Sequence, residues 1–261
     1  MLLAIDVGNS NTVFALYKLG TPAEIVADWR MTTPSGQTTD EFGSTLQNIF
    51  TQRNLDLSVV DGIAISSVVP PLDWMLRQVS ELYFKVKPVF IEPGIKTGLP
   101  VLTDNPAEVG ADRIANCVAA FDKFGGPTIV VDMGTATTFD VISKKGEFLG
   151  GAIAPGLAIS AEALFAKAAR LPRIEVKKPA KVIGTGTVDN IQIGLYYGYI
   201  GLVDGILERM IAETGPDTRT VATGGLARLI AGGSKYLKTV DDMLTLTGLR
   251  IVYERNQKPK R

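Results

Sequence analysis

Two stretches carry residue types at a spacing suited to phosphate chemistry. Residues 4–16 read AIDVGNSNTVFAL and residues 130–142 read VVDMGTATTFDVI. Laid over one another, Asp6 falls on Asp132, Gly8 on Gly134, Asn11 on Thr137 and Thr12 on Thr138. Each copy predicts a strand, a tight glycine-containing turn and a second strand, with an acidic side chain at the entrance and hydroxyl or amide groups at the tip. Such a turn presents backbone N–H groups to an anion, and an Asp beside it can hold a hydrated Mg²⁺ against phosphate oxygens. A single D-x-G is an ordinary hairpin turn. Its return half a chain later, in the same strand context, points to two hairpins that clamp a nucleotide phosphate chain.

A third stretch, TDNPAEVGADRIANCVAAF (103–121), is punctuated by Pro106 and Gly110 and then runs at helical spacing through Ile114, Val118 and Phe121. That places Ala111-Asp112-Arg113 at a helix start. An Asp there can be a cap or a partner of the helix dipole. It can equally be a carboxylate of fixed orientation, beside a guanidinium able to bind a substrate carboxylate. Cys117, one turn on, reads as a small buried side chain. Near the end, the strand Thr218–Thr223 runs into Gly224-Gly225-Leu226-Ala227. A glycine pair between strand and helix lets backbone approach a ligand such as adenine or ribose, or simply makes a tight turn.

Absences narrow the chemistry. The chain has no His, which removes His-based triads, most zinc sites and imidazole acid–base catalysis, so a general base is expected to be a carboxylate. There is no G-x-x-x-x-G-K-[ST] and no G-x-G-x-x-G after a strand. Lys plus Arg and Asp plus Glu balance at 27 each, which gives no basic surplus for nucleic acid. A single Cys permits no internal disulfide and fits a reducing cytosol. The start MLLAIDVGN does not read as a signal peptide, and the longest apolar run, Ile193–Val203, is too short to span a bilayer. A cytoplasmic protein without membrane or nucleic-acid partners is expected.

The surrounding elements must hold these groups. After the first hairpin, Glu24–Thr32 reads as a strand with Trp29 and Met31 on one face, then a polar loop (33–38) suited to a lid. Thr38 and Glu41 have capping-box spacing for a helix to about Arg53. A strand at Val60–Ser66, a helix from Pro70-Pro71 to Phe84 and a strand at Pro88–Ile91 follow. Gly125-Gly126-Pro127 separates the halves, giving expected domains 1–124 and 125–261. After the second hairpin come a strand at Phe148–Ala154, a helix at Leu157–Leu171, a basic loop, an IGTGT turn and a long helix over 187–212. In that helix Gly194, Gly198, Gly201 and Gly205 recur every three or four residues. Glycine costs a helix roughly 0.8–1.0 kcal/mol per site, so four predict close packing against another helix, internal or in a second subunit. A helix at about Asp241–Arg255 and a solvated KPKR tail end the chain.

Paired D-x-G hairpins followed by T-G-G resemble the actin, sugar-kinase and heat-shock ATPase superfamily. Within it the chain resembles type III pantothenate kinase through DVGNSNT (6–12), NPAEVGADR (105–113), VVDMGTATTFD (130–140), GGAIAPGL (150–157) and ATGGLA (222–227). The resemblance implies an α/β protein of two ribonuclease-H-like domains with mixed sheets and a central nucleotide cleft. It implies ATP and Mg²⁺, with Asp6, Val7, Gly8, Asn9, Ser10, Asn11, Thr12 and Val13 as the phosphate loop, Asp6 reaching Mg²⁺ through water, and Thr135 as a second phosphate contact. Gly110, Ala111, Asp112 and Arg113 would bind pantothenate, with Asp112 as catalytic base. Asp132 would hold a monovalent cation, K⁺ or NH₄⁺, and Thr187 would touch pantothenate from the other domain or subunit of a homodimer. Thr103, also at the pantothenate site, stands where many members have Tyr, and Thr185-Gly186 stands where many have a Lys or charged pair.

The expected reaction is therefore ATP-dependent phosphorylation of pantothenate, which opens coenzyme A biosynthesis. Positioning and charge neutralisation dominate phosphoryl transfer, so a carboxylate base suffices without His. Two alternatives stand beside it: a non-catalytic regulator on the same fold, and a kinase for another small hydroxyl substrate such as a sugar. Asp112, Arg113 and Thr135 speak for catalysis, because a binding module needs no base.

Overall fold

The computed structural model describes residues 1–34 and 36–257; Ser35 and the KPKR end (258–261), read above as a solvated tail, lie outside the described residues. Along the chain run β1 (Leu2–Val7), β2 (Asn11–Lys18), β3 (Glu24–Thr32), α1 (Thr39–Gln52), β4 (Gly62–Ser67), α2 (Pro70–Tyr83), β5 (Val89–Phe90) and α3 (Ala111–Phe124). Then come β6 (Thr128–Met133), β7 (Ala136–Ile142), β8 (Phe148–Pro155), α4 (Leu157–Lys167), α5 (Thr187–Thr214), β9 (Arg219–Thr223), α6 (Ala227–Ala231), β10 (Thr239–Val240) and α7 (Leu244–Asn256).

These elements form two five-stranded mixed sheets, ordered β3-β2-β1-β4-β5 and β10-β9-β6-β7-β8. Reversed, the second order is the first one again. In each, three antiparallel strands form a meander, and its first strand takes a parallel neighbour after a helical crossover. The internal repeat read from the two hairpins therefore extends to whole sheets.

In the first unit, the central strand β1 buries Leu2, Leu3, Ala4, Ile5 and Val7. Phe14 stacks on Trp29 with centroids 5.1 Å apart, and Phe50 meets Trp29 edge-on at 5.5 Å, both favoured aromatic geometries. The capping box of α1 is complete: Thr38 Oγ1 accepts from the Glu41 N–H, and the Glu41 carboxylate accepts from the Thr38 N–H. That contact holds the Glu41 carboxyl below its usual range. Pro70 and Pro71 occupy the first turn of α2, where no N–H is missed.

In the second unit, Ile129, Val131, Met133 and Phe139 pack with Tyr196, Tyr199, Ile200, Val203 and Leu207 from one stripe of α5. The glycines lie elsewhere on that helix. A Cβ added at Gly194, Gly198 or Gly201 would meet nothing within 4 Å. No described residue of this chain is the close-packed partner that the glycine spacing predicts.

The boundaries differ from a single cut at 124/125. The first compact unit takes Met1–Leu99, Asn105–Ala119 and the chain from Leu244, and the second takes Pro100–Asp104 and Ala120–Met243. The cause is α7, which packs on β1 and β4 of the first sheet. Tyr253 lies over Gly62, and Gly248 lies against the Ala115 backbone so closely that a Cβ at either glycine would collide. Helix α4 ends at Lys167 rather than Leu171, with Ala168 leaving helical backbone at φ −111° and ψ 87°. Strand β10, two residues long, has too few residues for a periodic signal.

Candidate active site

The first turn lies at the carboxyl ends of β1 and β2. Asp6 pairs with Val13 and Val7 with Thr12, leaving a four-residue turn, Gly8–Asn11, closed by the Gly8 N–H on the Asn11 carbonyl at 3.0 Å. Asn9, Ser10 and Asn11 are exposed, Asp6 is half-buried and Thr12 fully buried. The brace of this turn is Thr33, the first residue after β3. Its N–H donates to the Ser10 carbonyl at 3.0 Å, its hydroxyl donates to the Gly8 carbonyl at 2.5 Å, and it shares a 3.1 Å bond with the Thr12 hydroxyl. The sequence places Thr33 in a lid-like loop; the pairing of Thr32 with Asn11 explains why it is anchored instead.

Asp112 shares this end of the first sheet. The Val68 N–H donates to the Val7 carbonyl at 3.1 Å, and a Cβ at Gly110 would sit 3.6 Å from Val68 Cγ1. The same Cβ would lie 2.6 Å from Asp112 Oδ1, so the absence of a side chain at Gly110 makes room for the carboxylate. Asp112 Oδ1 accepts from the Arg113 N–H at 2.7 Å, and the Ile114 N–H donates to the Gly110 carbonyl to start α3. Burial pushes the Asp112 carboxyl above the ordinary aspartate value, against the pull of the Arg113 N–H and guanidinium. A carboxylate raised in this way is a better proton acceptor. Gly110, Ala111, Asp112 and Arg113 thus gather beside the Asp6–Val13 hairpin. One group escaped the sequence reading: Ser66, opposite Asp6 in β4, is fully buried with no partner for its Oγ. Only the pairing of β4 with β1 could have singled it out.

The second turn is one residue shorter. Asp132 pairs with Thr138 and Met133 with Thr137, leaving Gly134–Ala136 closed by the Gly134 N–H on the Ala136 carbonyl at 3.0 Å. The sequence overlay of Thr12 on Thr138 therefore slips after the turn. Thr137 is the structural counterpart of Thr12, and both are fully buried. Thr135 is exposed at the tip and Asp132 half-buried at the entrance. Gly224, at φ +93°, lies against Asp132, and a Cβ there would come 2.7 Å from Asp132 Oδ1 and from the Met133 backbone. The T-G-G turn thus brings backbone to the acidic entrance of the second hairpin, and left-handed φ is the conformation that glycine permits.

Thr103 is separated by unit from the Gly110–Arg113 group. Its segment runs beside β8, with the Leu102 N–H on the Phe148 carbonyl at 2.9 Å and the Phe148 N–H on the Pro100 carbonyl at 2.8 Å. The buried Thr103 Oγ1 has no partner. Thr187 is the first residue of α5 and is exposed. Gly184 folds back over Asn190, tying the IGTGT turn to the start of that helix.

The profile described as type III pantothenate kinase matches residues 2–209. A curated type III pantothenate kinase from Acidobacterium capsulatum is 62% identical over 257 residues, covering 97% of this chain and 94% of its own. A Campylobacter jejuni protein assigned to the Baf family of transcriptional activators superposes with a TM-score of 0.60 at 21% identity, over 97% of this chain and 98% of that one. A ROK family glucokinase from Streptomyces griseus, solved with glucose and AMPPNP, does so with a TM-score of 0.54 at 11% identity, over 97% and 98%. The last two likenesses show the two-unit α/β fold alone. With the profile match and the 62% identity running through both hairpins and the G-A-D-R helix start, the chain belongs to the type III pantothenate kinase family.

Proposed function

We propose that the chain transfers the γ-phosphoryl group of ATP to the primary hydroxyl of pantothenate, giving ADP and 4′-phosphopantothenate for coenzyme A biosynthesis. The observation that carries this reading is Asp112, a carboxylate raised by burial and fixed at a helix start beside the first hairpin, in a chain of this family. The substrate oxygen bonds to the γ-phosphorus as the bond to the ADP oxygen breaks, and Asp112 receives the hydroxyl proton. Arg113 binds the pantothenate carboxylate, with Gly110 and Ala111 beside it; Thr103 is read as a further pantothenate contact, and Thr187 as one from the other domain or subunit.

Asp6, Val7, Gly8, Asn9, Ser10, Asn11, Thr12 and Val13 are read as the phosphate loop and Thr135 as a second phosphate contact. Among the described residues, no three acidic or metal-ligating side chains cluster. Asp6 therefore suits a single contact, through water, to Mg²⁺ carried on the nucleotide. That ion supplies charge neutralisation at the phosphate oxygens. Asp132, with the Gly224 backbone close to its Oδ1, offers a hard carboxylate donor suited to K⁺ or NH₄⁺.

A homodimer and a cytoplasmic location complete the reading. The exposed glycines of α5 and the exposed Ile153, Ile183 and Val188 of the same unit support a second copy of this chain as the partner the glycine spacing calls for. No described helix is long and apolar enough to cross a membrane, and the lone Cys117 is buried. Analytical ultracentrifugation at micromolar protein should give a dimer, and Gly198→Leu should lower dimer content and activity together. An active wild-type monomer would remove the dimer from this account. The activity itself is tested by coupled ADP release with pantothenate against a panel of sugars, with and without K⁺. Pantothenate-dependent, K⁺-stimulated release is expected; release with a sugar alone would favour the other small-hydroxyl kinase.

A further inference from the structure

The two turns are braced by different means, and the difference singles out a residue with no assigned role. In the first unit Thr33 follows β3, bonds Ser10 through its N–H, donates its hydroxyl to the Gly8 carbonyl and accepts from the Thr12 hydroxyl. In the second unit the equivalent position is Gly156, which follows β8 and bonds Thr135 through its N–H at 3.0 Å. No side chain fits there: a Cβ at Gly156 would collide with the carbonyl oxygens of Thr135 and Gly134, because the second turn is one residue shorter. Yet Thr137, the counterpart of Thr12, still has a hydroxyl partner. It is Tyr199 Oη, from the middle of α5.

We propose that Tyr199 is the positioning residue for the second phosphate turn, supplying from α5 the hydroxyl that Thr33 supplies to the first. Tyr199 is buried, and its hydroxyl donates to the Pro155 carbonyl at 3.2 Å. A phenol has one proton, so the Thr137 hydroxyl donates to Tyr199 Oη. The Leu157 N–H, at the start of α4, points to the same oxygen, and burial keeps the phenol in its neutral, donating form. One oxygen thus joins α5, the strand behind the second turn and the β8–α4 corner. From Pro155 the next residue, Gly156, holds the Thr135 carbonyl. The consequence is that the turn proposed to contact ATP takes its position from the helix with the exposed glycines.

This inference rests on reading the second turn as a nucleotide contact, so the test measures nucleotide binding directly. ATP–Mg²⁺ binding to the full chain is followed by calorimetry without pantothenate, for wild type, Tyr199→Phe, Thr137→Val, Thr137→Ser and the Tyr199→Phe/Thr137→Val pair. Melting temperature is recorded for each. Losing a buried hydroxyl bond should weaken ATP binding by roughly tenfold in Tyr199→Phe and in Thr137→Val. Thr137→Ser, which keeps the donor, should bind close to wild type, and the double variant should be no weaker than the weaker single one. A Tyr199→Phe protein that binds ATP like wild type overturns the inference, whatever its melting temperature. Should that variant fail to fold, equal affinity in Thr137→Val and Thr137→Ser overturns it instead. A wild-type chain that binds no ATP overturns both this inference and the nucleotide reading beneath it.

Discussion

The two halves of this chain share one sheet topology, and they differ in what the topology is used to hold. Each offers an Asp at the end of its central strand, a glycine turn and a buried Thr behind that turn. The first unit braces its four-residue turn locally, from Thr33 on the neighbouring strand, and places Asp112 beside it. The second unit has a three-residue turn that leaves no room for a local side chain and borrows Tyr199 from a helix instead. The longer turn takes its hydroxyl support from the sheet, the shorter one from α5. A local brace keeps a turn independent of distant events; a borrowed one ties it to the helix.

The sharpest contrast is that the proposed base belongs to the first unit. Asp112→Asn should lower turnover by about two to four orders of magnitude, the usual range for a positioned general base. The same substitution should not unfold the chain. With its pKa raised in the folded state, Asp112 binds protons more readily when folded. Stability is therefore lost as pH rises from the ordinary aspartate value through the raised one. Asn removes that loss, so the variant should melt at or above the wild-type temperature at neutral pH. In the wild type, turnover should fall on the acid side at a higher pH than an ordinary aspartate would give. A variant that keeps turnover within a few-fold of wild type would remove Asp112 from the mechanism.

Arg113→Ala comes next. It should raise the KM for pantothenate by roughly ten- to a hundredfold, the worth of a hydrogen bond between charged groups, and leave the KM for ATP alone. The opposite pattern would assign this end of the first unit to nucleotide.

The smallest effects separate the two braces. Gly156→Ala forces a methyl group against two carbonyl oxygens and should destabilise the fold by about 1–3 kcal/mol in denaturant unfolding, the range for overpacking. Thr33→Val, nearly isosteric, removes one hydroxyl and should cost about 1 kcal/mol. If Thr33→Val proved the costlier, the claim that the second turn is the sterically constrained one would fail.

Much of this arrangement was legible in the sequence because it is local. The D-x-G hairpins, the Thr38–Glu41 capping box and the helix start at Ala111 each carry their signal within a few residues, and each is present. What the sequence could not show depends on distant strands and helices meeting. The overlay of the hairpins could not reveal that one turn is a residue shorter, since Thr12 aligns equally well with either Thr of Thr137-Thr138. Thr33 looked like loop until strand pairing anchored it. The return of α7 to the first sheet depends on Gly62 and Gly248 meeting Tyr253 and the Ala115 backbone, a contact no periodicity announces. The glycine spacing of α5 predicts a close-packed helix partner, and among the described residues of this chain that face lies open.

The most direct test of the central claim is ³¹P NMR of ATP, Mg²⁺, K⁺ and pantothenate with the purified chain, run beside Asp112→Asn at equal concentration. A phosphomonoester signal of 4′-phosphopantothenate should grow as the ATP γ-signal is lost, and the variant should form it at least a hundredfold more slowly, in the range for loss of a general base. A wild-type chain that forms no phosphomonoester, or an Asp112→Asn chain that forms it at the wild-type rate, would contradict that claim.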